Sequence, residues 1–140
     1  GCWEAYASAT GLINTTKEML QQLEDKQAPL WQLCDGDLNK VNGRTAFDAM
    51  RAGDPAGQQV VDTYIRQLAS GLADVVNIFQ PNLICIGGGI CHEGDTLLNP
   101  LREQVRREAF EVPGGILPEL RVAQLGNDAG IIGAALLGLS

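Results

Sequence analysis

The longest helical rhythm lies in the middle of the chain. Val61, Tyr64, Ile65, Leu68, Leu72, Val75, Val76 and Phe79 recur at intervals of three and four, which puts them on one broad apolar arc. Asp54-Pro55 supplies a start signal, the acid as cap and the proline in the first turn, and Pro81 a stop. The pattern predicts the central helix of the core, running from Asp54 to about Gln80. Gly71 in its interior costs about 1 kcal/mol relative to alanine, which close packing against a neighbouring backbone would offset. Phe47 and Met50 share one face of a shorter helix over Thr45–Ala52, so 45–80 is almost wholly helical.

Upstream, Leu12, Ile13, Met19, Leu20 and Leu23 predict a helix within 3–27, with Ser8 or Thr10 placed to cap it. Residues 28–44 show no clear period, and Asp35-Gly36-Asp37-Leu38-Asn39 reads as a solvated loop. Its likeness to a calcium loop ends at Lys40, where that loop requires glycine, and at Ala46, where it requires glutamate. Asn14-Thr15-Thr16 matches a glycosylation acceptor only accidentally, since it falls within a helical pattern.

Downstream, the short apolar run Leu83-Ile84-Cys85-Ile86 predicts a buried parallel strand over 83–87, ending in Gly87, Gly88 and Gly89. Leu97, Leu98, Leu101, Val105 and Phe110 mark a helix over 94–111, with Arg102, Arg106 and Arg107 on a solvated outer face. Pro113-Gly114-Gly115 ends it, a second strand covers 120–125, and Gly126-Asn127-Asp128 caps a last helix over 127–138. The small residues Ala129, Gly130, Gly133, Ala134 and Ala135 suit close approach to a partner element. Helix, strand, helix, strand, helix makes an α/β unit with two parallel strands and flanking helices. Two strands are too few for a stable sheet. With a helical pattern already under way at Gly1, the chain reads as part of a longer protein whose other strands complete the sheet.

The glycines carry the candidate chemistry. Without a Cβ the backbone at 87–89 accepts positive φ and lets a flat or charged group approach, and turn amides next to a helix dipole favour an anion such as phosphate. A structural turn that needs room for packing explains the same three residues equally well. Three familiar motifs fail nearby. A dinucleotide fingerprint needs glycine where His92 stands, a phosphate loop needs lysine where Asp95 stands, and H-E-x-x-H stops at His92-Glu93 because the chain has one histidine. As a lone loop residue, His92 is read as solvated.

Composition narrows the partners. At 140 residues with 45% hydrophobic content and a mean hydropathy of −0.01, the chain is one globular domain's worth. A net charge of −7 and a pI near 4.5 argue against nucleic acid or an anionic membrane. No apolar run reaches the roughly 20 residues of a membrane span. Cys2, Cys34, Cys85 and Cys91 form no C-x-x-C pair and are expected as free thiols in a reducing, cytoplasmic setting, Cys85 as a small hydrophobe within its strand.

Three stretches together resemble the C-terminal half of ROK-family sugar kinases, in order and spacing, and most of all the bacterial glucokinases of that group. They are Gly1-Cys2-Trp3-Glu4-Ala5-Tyr6-Ala7-Ser8, Ile84-Cys85-Ile86-Gly87-Gly88-Gly89-Ile90, and Leu125-Gly126-Asn127-Asp128-Ala129-Gly130-Ile131-Ile132-Gly133-Ala134-Ala135. The resemblance implies one C-terminal lobe over 1–140, part of a ribonuclease-H-like domain of actin and hexokinase type. It implies that Glu4 hydrogen-bonds sugar hydroxyls, although a first-turn carboxylate also suits the helix dipole. It implies that Gly87, Gly88 and Gly89 line the adenosine end of an ATP site. Asn127 and Asp128 match a motif near the interdomain hinge, while serving equally as ordinary caps.

Cys2 matches the last cysteine of the family's zinc motif. Zinc is not expected to stay on one ligand, since structural sites use four. The family's catalytic aspartate and N-terminal phosphate motif have no counterpart among these residues, so the implied activity, ATP- and Mg²⁺-dependent phosphorylation of a hexose, is not expected of this chain alone. A sugar-sensing repressor of the same family is the regulatory rival. A homo-oligomeric interface module is the structural one.

Overall fold

The computed structural model describes residues 2–110, 117–125 and 128–137. Their helices are α1 (Glu4–Ala7), α2 (Ala9–Gln22), α3 (Pro29–Gln32), α4 (Thr45–Arg51), α5 (Pro55–Phe79), α6 (Asp95–Glu108) and α7 (Ala129–Leu137). Their strands are β1 (Leu83–Ile86) and β2 (Glu119–Val122), with 3₁₀ turns at Leu38–Lys40 and Gly89–Glu93. Pro113-Gly114-Gly115, Gly126 and Asn127 lie outside the described residues.

The long helix forms as its apolar rhythm predicts. Asp54 caps α5, its Oδ1 accepting from the Ala56 N–H at 2.8 Å. Its Oδ2 accepts from the Leu30 N–H at 2.7 Å, so one buried carboxylate ties the start of α5 to α3. Val60, Val61, Tyr64, Ile65, Leu68, Leu72 and Val76 then join Leu12, Phe47, Leu97, Leu101 and Leu120 in the main core, with α4 and α6 packed against α5.

Several expectations are corrected. The helix expected within 3–27 is broken at Ser8, which is extended (φ −92°, ψ 170°) and whose hydroxyl accepts from the Gly11 N–H to start α2. The aperiodic stretch 28–44 buries Leu30, Trp31, Cys34 and Val41 against Leu20, Ala49 and Ala56 in a second small core. One-turn elements are too short to show a period. Gly71 does meet a close neighbour, but that neighbour is a side chain: a Cβ there would overlap Cε2, Cδ2 and Nε1 of the Trp3 indole. Phe110 lies beyond the end of α6 and is 78% exposed. Arg102 is exposed as expected, and it also donates to the Leu120 carbonyl at 2.7 Å. Glu119 and Ala123 donate toward β1, so the alternation of the ladder turns the Leu120 carbonyl to the other edge, where Arg102 satisfies it.

The two strands pair in parallel, Leu83 opposite Glu119 through Ile86 opposite Val122. Ile84, Ile86, Leu120 and Val122 face the core. Leu83, Cys85, Glu119 and Arg121 face the other way and are exposed, so the strand is covered on one face only and Cys85 is not buried. Gly130 to Leu137 are likewise exposed, with open space around Gly130 and Gly133. The expected close partner for this helix is not found among the described residues.

Candidate functional site

β1 runs from the core out to the glycines, which are exposed. Among the described residues, a Cβ at Gly88 or Gly89 would meet nothing within 4 Å, and one at Gly87 only the Ala123 Cβ at 4.0 Å. Packing therefore does not explain these residues. Backbone conformation explains the middle one: Gly88 has φ 85° and ψ −177°, a region essentially limited to glycine. Open space in front of three residues without side chains leaves this backbone accessible to a flat or charged group.

The helix expected over 94–111 forms as α6 from Asp95, and it does not adjoin the glycines. Gly89–Glu93 is a 3₁₀ turn, Gly94 follows with φ 53°, and only then does α6 begin, with Asp95 in its first turn. The start of α6 is thus separated from the glycines by that turn, and its first turn carries an acid. The Cys91 thiol donates back to the Ile86 carbonyl at 2.8 Å. Burial pushes that thiol above its ordinary range, which keeps it a protonated donor.

Glu93 is the residue the sequence did not reveal. Only 8% exposed, it accepts from Arg51 Nη1 at 2.6 Å, while Arg51 Nη2 donates to Asp48 Oδ1 at 2.6 Å. Both carboxylates hold the Arg51 guanidinium above its ordinary range, Glu93 more than Asp48. Local periodicity cannot signal a pair formed between α4 and a turn so far along the chain.

Glu4 sits exposed in the first turn of α1. Trp3 docks this helix on α5, its Nε1 donating to the Gln67 carbonyl at 2.8 Å, and the Tyr64 hydroxyl donates to the Ala7 carbonyl at 3.2 Å. Burial, and then the nearby Cys91, raise the Tyr64 phenol above its ordinary range. The helix carrying Glu4 and the turn following the glycines therefore flank one buried tyrosine.

Cys2 is exposed, and no group of three or more His, Cys, Asp or Glu side chains placed to hold a metal occurs among the described residues. These residues do not make a zinc donor set. His92 is exposed, as is Asp128, whose N–H donates to the Leu125 carbonyl at 3.0 Å. An open groove of about 510 Å³ between α5 and α6, lined by residues such as Gln58, Asp62, Arg66 and Gln104, contains none of the sequence-predicted site residues. Among the described residues, no helix is long and apolar enough to cross a membrane.

The chain is 38% identical over 141 residues to a glucokinase of Streptomyces coelicolor, covering 96% of this chain and 43% of that protein. It superposes with a TM-score of 0.86 and 34% identity on a ROK family glucokinase from Streptomyces griseus in complex with glucose and AMPPNP, covering 98% of this chain and 44% of that one. A xylose repressor of Caldicellulosiruptor bescii is 23% identical over 140 residues, covering 100% of this chain and 34% of that protein. The chain thus spans less than half the length of the relatives it matches, and its structural neighbours, which have the actin and hexokinase-like fold, include ROK sugar kinases and a ROK family transcriptional regulator. The ROK family signature matches residues 1–140 in full, and the chain belongs to the ROK family.

Proposed function

We propose that this chain is the nucleotide-binding C-terminal portion of an ATP-dependent hexose kinase of glucokinase type, which transfers the γ-phosphate of ATP to a sugar hydroxyl. The observation that carries this reading is the 0.86 TM-score, over 98% of the chain, to a glucokinase holding glucose and AMPPNP. In this reading Gly87, Gly88 and Gly89 receive the adenosine end of the nucleotide on open backbone, and Glu4 accepts hydrogen bonds from sugar hydroxyls. Mg²⁺ arriving with the nucleotide would supply charge neutralisation at the phosphates. Phosphoryl transfer depends on positioning two substrates in line. A cytoplasmic, homo-oligomeric protein, with Cys2 as one ligand of a zinc site in the whole, belongs to the same proposal. By itself the chain is expected to be inactive, because the catalytic aspartate of the family has no counterpart in it.

Titration with AMPPNP, followed through backbone amide resonances, tests the reading. Shifts at Gly87 to Gly89 at millimolar nucleotide are expected. Shifts confined to another surface, such as the groove between α5 and α6, would refute it, and ATP-dependent glucose phosphorylation by the chain alone would refute the expected inactivity. The match to a xylose repressor along the whole chain favours a second reading, a sugar-sensing domain. It requires a response to sugar near Glu4 with none to nucleotide at the glycines.

A further inference from the structure

The segment from Gly87 to Gly94 has little intrinsic reason to hold its shape. It carries positive φ at Gly88 (85°) and Gly94 (53°), and the Cβ positions of both residues face open space, so glycine's freedom is unopposed there. Two of its backbone bonds, Cys91 N–H to the Gly88 carbonyl and Gly94 N–H to the Cys91 carbonyl, are internal, while the Gly94 carbonyl accepts from the Leu97 and Leu98 N–H groups of α6; the Cys91 thiol donates back to Ile86, and Ile90 packs against the main core. Its ion pair with the helical layer is Glu93 to Arg51, at 2.6 Å. The Glu93 side chain is 5% exposed and that of Arg51 45%. A carboxylate so buried is costly unless paired. Arg51 is held in turn by Asp48 and by its place in the last turn of α4, where a cation suits the helix dipole. α4 is itself packed on α5.

We infer that Arg51 and Glu93 are a positioning pair, which holds the glycine turn open and, on the nucleotide reading above, sets how tightly that turn receives the nucleotide. Neither residue touches the ligand in this inference; each acts through the backbone of 87–94. Glu93→Gln keeps the shape and removes the charge. Amide hydrogen exchange in 88–94, measured without nucleotide, is expected to quicken about tenfold while exchange in the middle of α5 stays as it was. The AMPPNP dissociation constant read from the amide shifts is expected to rise about tenfold. Arg51→Lys by itself, with Glu93 intact, retains both charges and should show only a small part of either loss. If Glu93→Gln fails to fold, the double variant Arg51→Met with Glu93→Leu replaces the pair by apolar groups, a change often neutral for stability. It should show the same local exchange.

Unchanged exchange in 88–94, or exchange that quickens equally throughout α5, would overturn the inference. If the wild-type chain shows no nucleotide shifts at Gly87 to Gly89, the nucleotide reading fails, and the exchange measurement still decides whether the pair holds the turn.

Discussion

Replacing Gly71 with alanine tests how α1 is attached. Mid-helix glycine is disfavoured, so on propensity alone the change should stabilise by about 1 kcal/mol. In this fold the new methyl would occupy the Trp3 indole, which has to leave. Trp3 is 42% exposed in place, and uncovering the rest loses roughly 100–150 Å² at about 25 cal/mol per Å², or about 3 kcal/mol. The bond from Nε1 to the Gln67 carbonyl is worth about 1 kcal/mol. Fraying of α1 returns part of this as chain entropy, leaving a net destabilisation of about 1–3 kcal/mol. Urea unfolding followed by fluorescence and far-ultraviolet dichroism measures it. The decisive comparison is the same substitution in a Trp3→Ala background, where the obstruction is gone and alanine should stabilise by about 1 kcal/mol. Equal effects in the two backgrounds would refute the reasoning. Because α1 carries Glu4, the wild-type-background variant should also weaken any response of that residue to sugar.

Gly88→Ala forces a side chain into φ 85° and should cost about 1–3 kcal/mol, whereas Gly89→Ala, which faces open space without positive φ, should leave the melting temperature nearly unchanged; equal losses would contradict this account of the turn. Asp54→Ala removes the acceptor of both the Ala56 and Leu30 amides and should cost about 2–3 kcal/mol, read from the urea midpoint, while a cost near zero would mean that α3 is held some other way. Arg121 Nε donates to Glu119 at 2.6 Å, and that bond lowers the Glu119 carboxyl from its ordinary value of 4.5. The small contribution of this exposed pair is therefore present above about pH 4.5 and lost as the pH falls through the lower folded value. Carboxyl carbon shifts of Glu119 should titrate below those of an unpaired glutamate, and Arg121→Gln should return them to the ordinary range.

Elements long enough to repeat their pattern were legible in the chain: α5 from its apolar arc and its Asp54-Pro55 start, α6 from Leu97 to Val105, and the parallel β-α-β order from the two apolar runs. The glycine turn was legible as a place where backbone would lie bare. The 3₁₀ turn between it and α6 was not, because five residues leave no helical period to read. Arg102 was read as solvated and is exposed; the bond it also makes was not legible, since its acceptor is the free edge of β2 and strand edges exist only once a sheet has formed.

What the sequence determined by itself is therefore local: which segments are helices and strands, where they start and stop, and where the backbone is free of side chains. Only the tertiary structure decided that Trp3 fills the space left by Gly71, that Asp54 caps two helices at once, that Cys85 faces outward, and that Glu93 is buried against Arg51. Each of these depends on residues far apart in the chain being brought within a few ångströms. The free energy that does so comes from burying the apolar arc of α5 on every side, a property of the assembled core that no single window of residues contains.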